Sequence, residues 1–261
     1  MNFHLFCLDG GTGKLIWEKN FDNPEDKPAV AEPVPYKDLI IIGDKAYKME
    51  DGSVVWNKGN GMLVEEWCPT IVANDKAVIA LASRKVLCVD AQTGKDLWSF
   101  KSKKDKYQIM IEGFLSGQDR IFVNSEHLTA LDFDGKIIWQ TKESYPGQMA
   151  FVTNHLVISG NKGTFCISPK DGKLIWKNEI RGATPAICGT KVIMPQNFGV
   201  LTWDYGNVVF LSLTDGKKIG SFDIPKIEKQ PTTIIGAKKV FIGRPWSGET
   251  LCYGDKFQPK P

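Results

Sequence analysis

LCVDAQTGKDLW, residues 87–98, reads as one β-hairpin: an apolar run, a turn closed by Gly94-Lys95, and a second apolar run ending in Trp98. An Asp/Thr/Gly cluster between two runs rich in Leu and Val is a hairpin signal. Working outward, the same phrase returns as FCLDGGTGKLIW (6–17), YKMEDGSVVW (47–56), TALDFDGKIIW (129–139), FCISPKDGKLIW (165–176) and VFLSLTDGKKIG (209–220). The copies end at Trp17, Trp56, Trp98, Trp139, Trp176 and Gly220, in steps of 39, 42, 41, 37 and 44 residues. A period near forty with a hairpin in each unit is the signature of four-stranded propeller blades.

Each unit parses into strands A to D from the centre outward. In the unit around the opening quotation, A is 69–75, B is 76–82, C is 85–91 and D is 95–101, with a tight Asn74-Asp75 turn between A and B. Five units carry all four strands, over roughly 28–58, 67–101, 108–142, 148–180 and 183–224. The start of the chain supplies only C and D, and residues 231–243 supply A and B. The expected fold is therefore an all-β propeller of four-stranded antiparallel blades, one domain over 1–261. Six blades are expected, with seven as the alternative, closed by pairing of the N- and C-terminal strands so that no sheet edge is left open. A further C-like run at 249–255 has no place in that count.

The repeat also assigns roles. The Gly of the C–D turn is expected at positive φ, and the Trp closing strand D is expected to pack on the next blade. Gly220 in that slot predicts a weaker outer seam. Cys7, Cys88 and Cys166 share one slot with Ala130, which asks for a small buried side chain; Cys252 lies in the similar run TLCYG. Equivalent slots one sheet spacing apart, about 10 Å, exceed the roughly 7 Å a disulfide can bridge, so free thiols are expected. That usage points to a reducing compartment.

Composition narrows the function. The 33 basic and 30 acidic residues leave a net charge of +3, too little to argue for nucleic acid. No apolar run reaches the 18–20 residues, roughly, of a membrane-spanning helix. The N-terminus lacks the charged and apolar segments of a leader, so the expectation is cytoplasmic; a removed leader or a larger parent chain would make it periplasmic or extracellular. Asp-x-Asp in DFDG (132–135) lacks the later ligands of a calcium loop. His4, His127 and His155 fall in different units without metal-ligand spacing, and neither a nucleophile elbow nor a phosphate-binding loop occurs.

The units resemble the quinoprotein-type, or PQQ-like, propeller repeat, whose consensus is close to "lyalDa.tGk.lW"; Leu87, Cys88, Val89, Asp90, Ala91, Thr93, Gly94, Lys95, Leu97 and Trp98 follow it nearly letter by letter. The resemblance covers almost the whole chain and implies the scaffold. Its enzymatic members hold a quinone and calcium in the central funnel, often under a disulfide of adjacent cysteines. This chain has no adjacent cysteine pair, and no Asp aligns with their catalytic base. No cofactor, metal or catalytic residue is therefore assigned.

A propeller gathers its D–A and B–C loops at one end of the blades, and here those loops are irregular. The D–A stretch GNGMLVEEWCP (59–69) carries Glu65, Glu66 and Trp67, and NEIRGATP (178–185) carries Arg181. The B–C insertion PQNFGVLTWDYGNV (195–208) carries Trp203, Asp204 and Tyr205, and RPWSGE (244–249) carries Arg244 and Trp246. Aromatic rings and arginines on converging loops are the residue types of a binding hot spot. The expectation is a non-catalytic module that presents this face to a protein or peptide. A small quinoprotein-like oxidoreductase and a carbohydrate-binding propeller stacking a sugar on Trp67, Trp203 or Trp246 are the alternatives.

Overall fold

A computed structural model describes residues 3–21, 33–59, 69–81, 85–101, 113–117, 119–197, 204–228, 232–236, 239–243 and 250–253. Among them the regular structure is entirely strand. A hairpin of β1 (Phe3–Leu8) and β2 (Leu15–Phe21) comes first. Blade one is β3 (Val34–Tyr36), β4 (Leu39–Ile42), β5 (Lys45–Lys48) and β6 (Val54–Asn57); blade two is β7 (Ile71–Ala73), β8 (Lys76–Leu81), β9 (Lys85–Asp90) and β10 (Asp96–Lys101). Blade three is β11 (Gly113–Ser116), β12 (Ile121–Asn124), β13 (Leu128–Leu131) and β14 (Ile137–Gln140). Blade four is β15 (Gln148–Val152), β16 (His155–Gly160), β17 (Gly163–Ile167) and β18 (Leu174–Asn178). Blade five is β19 (Ala186–Cys188), β20 (Lys191–Asn197), β21 (Asp204–Ser212) and β22 (Lys218–Glu228). A last sheet holds β23 (Thr232–Gly236), β24 (Lys239–Gly243) and β25 (Thr250–Tyr253).

Every blade is an antiparallel meander in chain order, the topology of a β-propeller. The chain divides into two compact units, Met1–Ile111 with Phe133–Lys136, and Glu112–Asp132 with Ile137–Pro261. Within the first, the A strands β3 and β7 are neighbours; within the second, β11 lies beside β15, β15 beside β19, and β19 beside β23. The extra C-like run of the sequence is β25, which pairs with β24 through Phe241 and Cys252. Among the described residues β1–β2 form a two-stranded sheet and β23–β25 a three-stranded one.

Strands B and C form the core because both faces of a middle strand are covered by neighbouring sheets. Their runs are accordingly apolar without alternation, as in the buried Ala77–Leu81 and Val86–Val89. Asn74 and Asp75 both have positive φ (53° and 58°), the type I′ geometry that matches strand twist.

Successive sheets are joined by a repeated lock. Trp17, Trp56 and Trp98 in the first unit, and Trp139 and Trp176 in the second, donate their indole N–H to the C–D turn carbonyls of Met49, Ala91, Phe133, Pro169 and Leu213 at 2.7–3.0 Å. Each ring also lies flat on the turn glycine that follows. A Cβ on Gly94, whose φ is +70°, would sit 2.5 Å from Trp56 Cγ, so both the backbone and the ring require glycine there. Gly52, Gly135, Gly172 and Gly216 stand in the same relation to the other four rings.

Cross-strand pairing explains the small slot. Trp17 faces Cys7, Trp56 faces Ala46, Trp98 faces Cys88, Trp139 faces Ala130 and Trp176 faces Cys166. In blade five the sizes are exchanged: Gly220 faces Phe210, which packs on Phe222 with ring centroids 5.9 Å apart. The five described cysteines are free, and burial pushes the Cys88 and Cys166 thiols up to about 12.

One feature of the repeat was invisible in its letters. All six C–D pairings slip by one residue just before the Trp slot, leaving Ile16, Val55, Leu97, Ile138, Ile175 and Ile219 bulged. These six side chains are 38–54% exposed. A bulge on the outermost strand twists its edge away from foreign strands.

Candidate functional site

The two ends of the blades differ in kind. At the C–D turn end, short side chains close each turn on itself: Asp90 Oδ1 accepts from Thr93 Oγ1 at 2.7 Å and Thr93 N at 2.8 Å, and Asp9 does the same with Thr12. The Thr hydroxyl first, then the backbone N–H, holds both carboxyls below the usual carboxylate range.

The opposite end, where strand B turns into C and strand D leads into the next A, holds the buried polar side chains: Asp44, Lys45, Thr70, Asn124, Ser125, Thr129, Ser159 and Thr164. Buried polar groups persist where they are paired, and several of these hold the irregular connections. In the first unit the Asp44–Lys45 pair (3.5 Å) is buried, Lys58 N donates to Asp44 O, and Thr70 Oγ1 faces Gly43 O at 3.4 Å. In the second unit, Asn124 Nδ2 donates to Tyr145 O and Gly147 O at 2.7 and 2.9 Å, fixing the connection between blades three and four.

The connection between blades four and five carries Arg181. Gly182 bridges to Gln196 of β20, and Ala183 N donates to Pro195 O, so this D–A segment lies against the base of the blade-five hairpin. Arg181 is half-buried, yet it makes no hydrogen bond or ion pair with the described residues. The nearest acid in sequence, Glu179, is taken by Lys177 at 2.8 Å.

The expected B–C loop at 195–208 needs correction in its form. Pro195–Asn197 and Asp204–Val208 are strand, with Gln196 facing Asn207 and Asn197 facing Tyr205. The hairpin continues the blade, and β22 lengthens with it until Asp204 faces Glu228 and Tyr205 faces Ile227. Backbone hydrogen bonding, once begun, extends wherever the chain stays extended, so an insertion in the letters became a longer sheet. Asp204 and Tyr205 thus open β21, two residue steps along the sheet from the Arg181 connection. Glu65, Glu66, Trp67, Trp203, Arg244 and Trp246 lie outside the described residues. No group of three or more His, Cys, Asp or Glu suited to a metal occurs among the described residues, and no helix is long and apolar enough to cross a membrane.

A meander of PQQ-like blades, locked by tryptophan at one end and carrying gripped, irregular connections at the other, defines a quinoprotein-type repeat propeller. The family model described as "Outer membrane protein assembly factor BamB" matches residues 2–114 and 82–230, and the chain belongs to that family. A curated relative, the outer membrane protein assembly factor BamB of Pseudomonas aeruginosa, is 27% identical over 165 residues, covering 58% of this chain and 42% of the relative. The chain thus spans less than half the length of that relative. Among solved structures, BamB from Moraxella catarrhalis superposes with a TM-score of 0.76 at 16% identity, over 99% of this chain and 78% of the other. A europium-containing methanol dehydrogenase superposes at 0.66 with 12% identity, over 96% and 74%. At such identities both show the fold alone.

Proposed function

We propose that this propeller is a protein-binding module of outer-membrane protein assembly, docking an extended, acid-bearing segment of a partner against the connection between blades four and five. The observation that carries the reading is Arg181: a half-buried residue with no hydrogen bond or ion pair among the described residues, on a connection gripped from both sides. An arginine without a counter-charge in its own chain can take one from a ligand, and arginine recognises a carboxylate through two parallel hydrogen bonds. The lengthened β20–β22 sheet beside it offers an extended rim, and the family's assembly role supplies the class of partner. That role favours the periplasmic placement over the cytoplasmic one. Asp204 and Tyr205, at the start of β21, extend the proposed surface.

A photo-crosslinking residue in place of the exposed Glu179, in the full-length protein in its own cell, tests this. Adducts mapped to an acidic segment of an assembly component are expected. A synthetic peptide of that segment should bind Arg181→Glu about tenfold or more weakly than wild type, the scale of one charge-assisted pair. Absence of protein adducts, or unchanged affinity in the variant, overturns the reading.

A further inference from the structure

We infer that Thr164, with Ser159 beside it, is a positioning residue for Arg181, an inference that rests on the docking role just proposed. Thr164 Oγ1 lies 2.7 Å from Ile180 O, the carbonyl immediately before Arg181. A threonine hydroxyl has one proton, so with that proton given to Ile180 O it can only accept from its other neighbour. Ser159 Oγ stands 3.3 Å from Thr164 Oγ1 and 3.1 Å from Met194 Sδ, able to donate to either. The following residue is fixed as closely: a Cβ on Gly182 would meet Met194 Sδ at 2.7 Å and Ser159 Oγ at 2.8 Å. Asn178 completes the support, accepting from Ile180 N at 2.8 Å while its amide donates to Gly216 O at 2.8 Å. The peptide units on both sides of Arg181 are thereby held, while the guanidinium itself is left open.

Packing alone does not ask for these hydroxyls. Ser159 and Thr164 face each other across β16 and β17, and the equivalent pair across β8 and β9 of blade two is Ala80 with Val86. Both pairs are fully buried, so the same slot folds well with apolar side chains. The polar version stands in the blade whose outgoing connection bears Arg181, which has no hydrogen bond or ion pair among the described residues. A connection whose backbone is held in place loses less freedom on binding, and affinity rises accordingly.

The test is a double-mutant cycle on the full-length protein, with the crosslinked acidic segment as a synthetic peptide probe. Thr164→Val keeps the shape and removes the hydroxyl, and should weaken binding about tenfold, the scale of one hydrogen bond. Thr164→Ser should restore affinity to within about twofold of wild type. In the Arg181→Ala background, Thr164→Val should cause no further loss; a structural defect would weaken both backgrounds alike. Amide hydrogen exchange at Ile180–Ala183 should quicken in Thr164→Val and not in Thr164→Ser. If Arg181→Ala weakens binding while Thr164→Val does not, or the two losses add, the positioning role is overturned and the docking role stands. If Arg181→Ala leaves affinity unchanged, both fall.

Discussion

At one end of the first hairpin and of blades one to four a tryptophan rests on a glycine; at the other end of blades three and four a buried amide or hydroxyl holds a backbone carbonyl. The first arrangement is repeated five times with almost no variation, and the second differs between the blades that carry it. Repetition marks what neighbouring blades need for cohesion, since each seam must bury similar area in similar shape. Variation marks where the chain has been shaped for something outside itself, because a buried polar group costs stability unless its partner is placed correctly.

The largest way to break this comparison is at the locks. Trp56→Ala removes a buried ring and its bond to Ala91 O, and should cost about 3–5 kcal/mol in chemical denaturation. Gly94→Ala, the other half of that lock, should also destabilise, since it combines positive φ with a collision against the same ring. If either change is neutral, the seams do not carry cohesion.

A subtler test concerns the exchanged pair in blade five. Gly220→Trp alone places a ring against Phe210 and should destabilise by about 1–3 kcal/mol through overpacking. Adding Phe210→Cys restores the pairing of blades two and four, and should recover most of the loss. Additive losses would mean that Phe210 does not substitute for the missing ring.

The smallest effect is expected from the thiols facing the locks. Burial holds Cys88 and Cys166 protonated up to about 12, above the ordinary value of 9.0. A raised folded value means stability is full below 9 and declines as pH climbs from 9 toward 12, where the unfolded chain alone loses those protons. Denaturation midpoints across that range should therefore fall less steeply in Cys88→Ala than in wild type. Equal slopes would show that the thiols are not shielded.

The sequence made the lock end legible and left the other end largely hidden, for a physical reason. Tryptophan is rare enough that its spacing survives in the letters, and Ala130 in the cysteine slot already disclosed its small size. The bulges could not be read, because an aliphatic residue before Trp fits a regular strand equally well. The insertion at 195–208 looked like a loop because its glycines and asparagine suggested turns, yet most of it is sheet. Arg181 stands out in the letters only by its place on an irregular connection. Ser159, Thr164 and Asn124 were missed, since serine, threonine and asparagine inside apolar runs pass for ordinary strand residues. Setting blade four against blade two, where Ala80 and Val86 fill the Ser159 and Thr164 positions, was the signal that could have revealed them.

Because five indole N–H groups each report to a different turn carbonyl, the molecule carries its own set of spectroscopic gauges. In a ¹H–¹⁵N spectrum each of those resonances would register the opening of a single boundary. The sequence in which they lose protection under denaturant would reveal where unravelling begins.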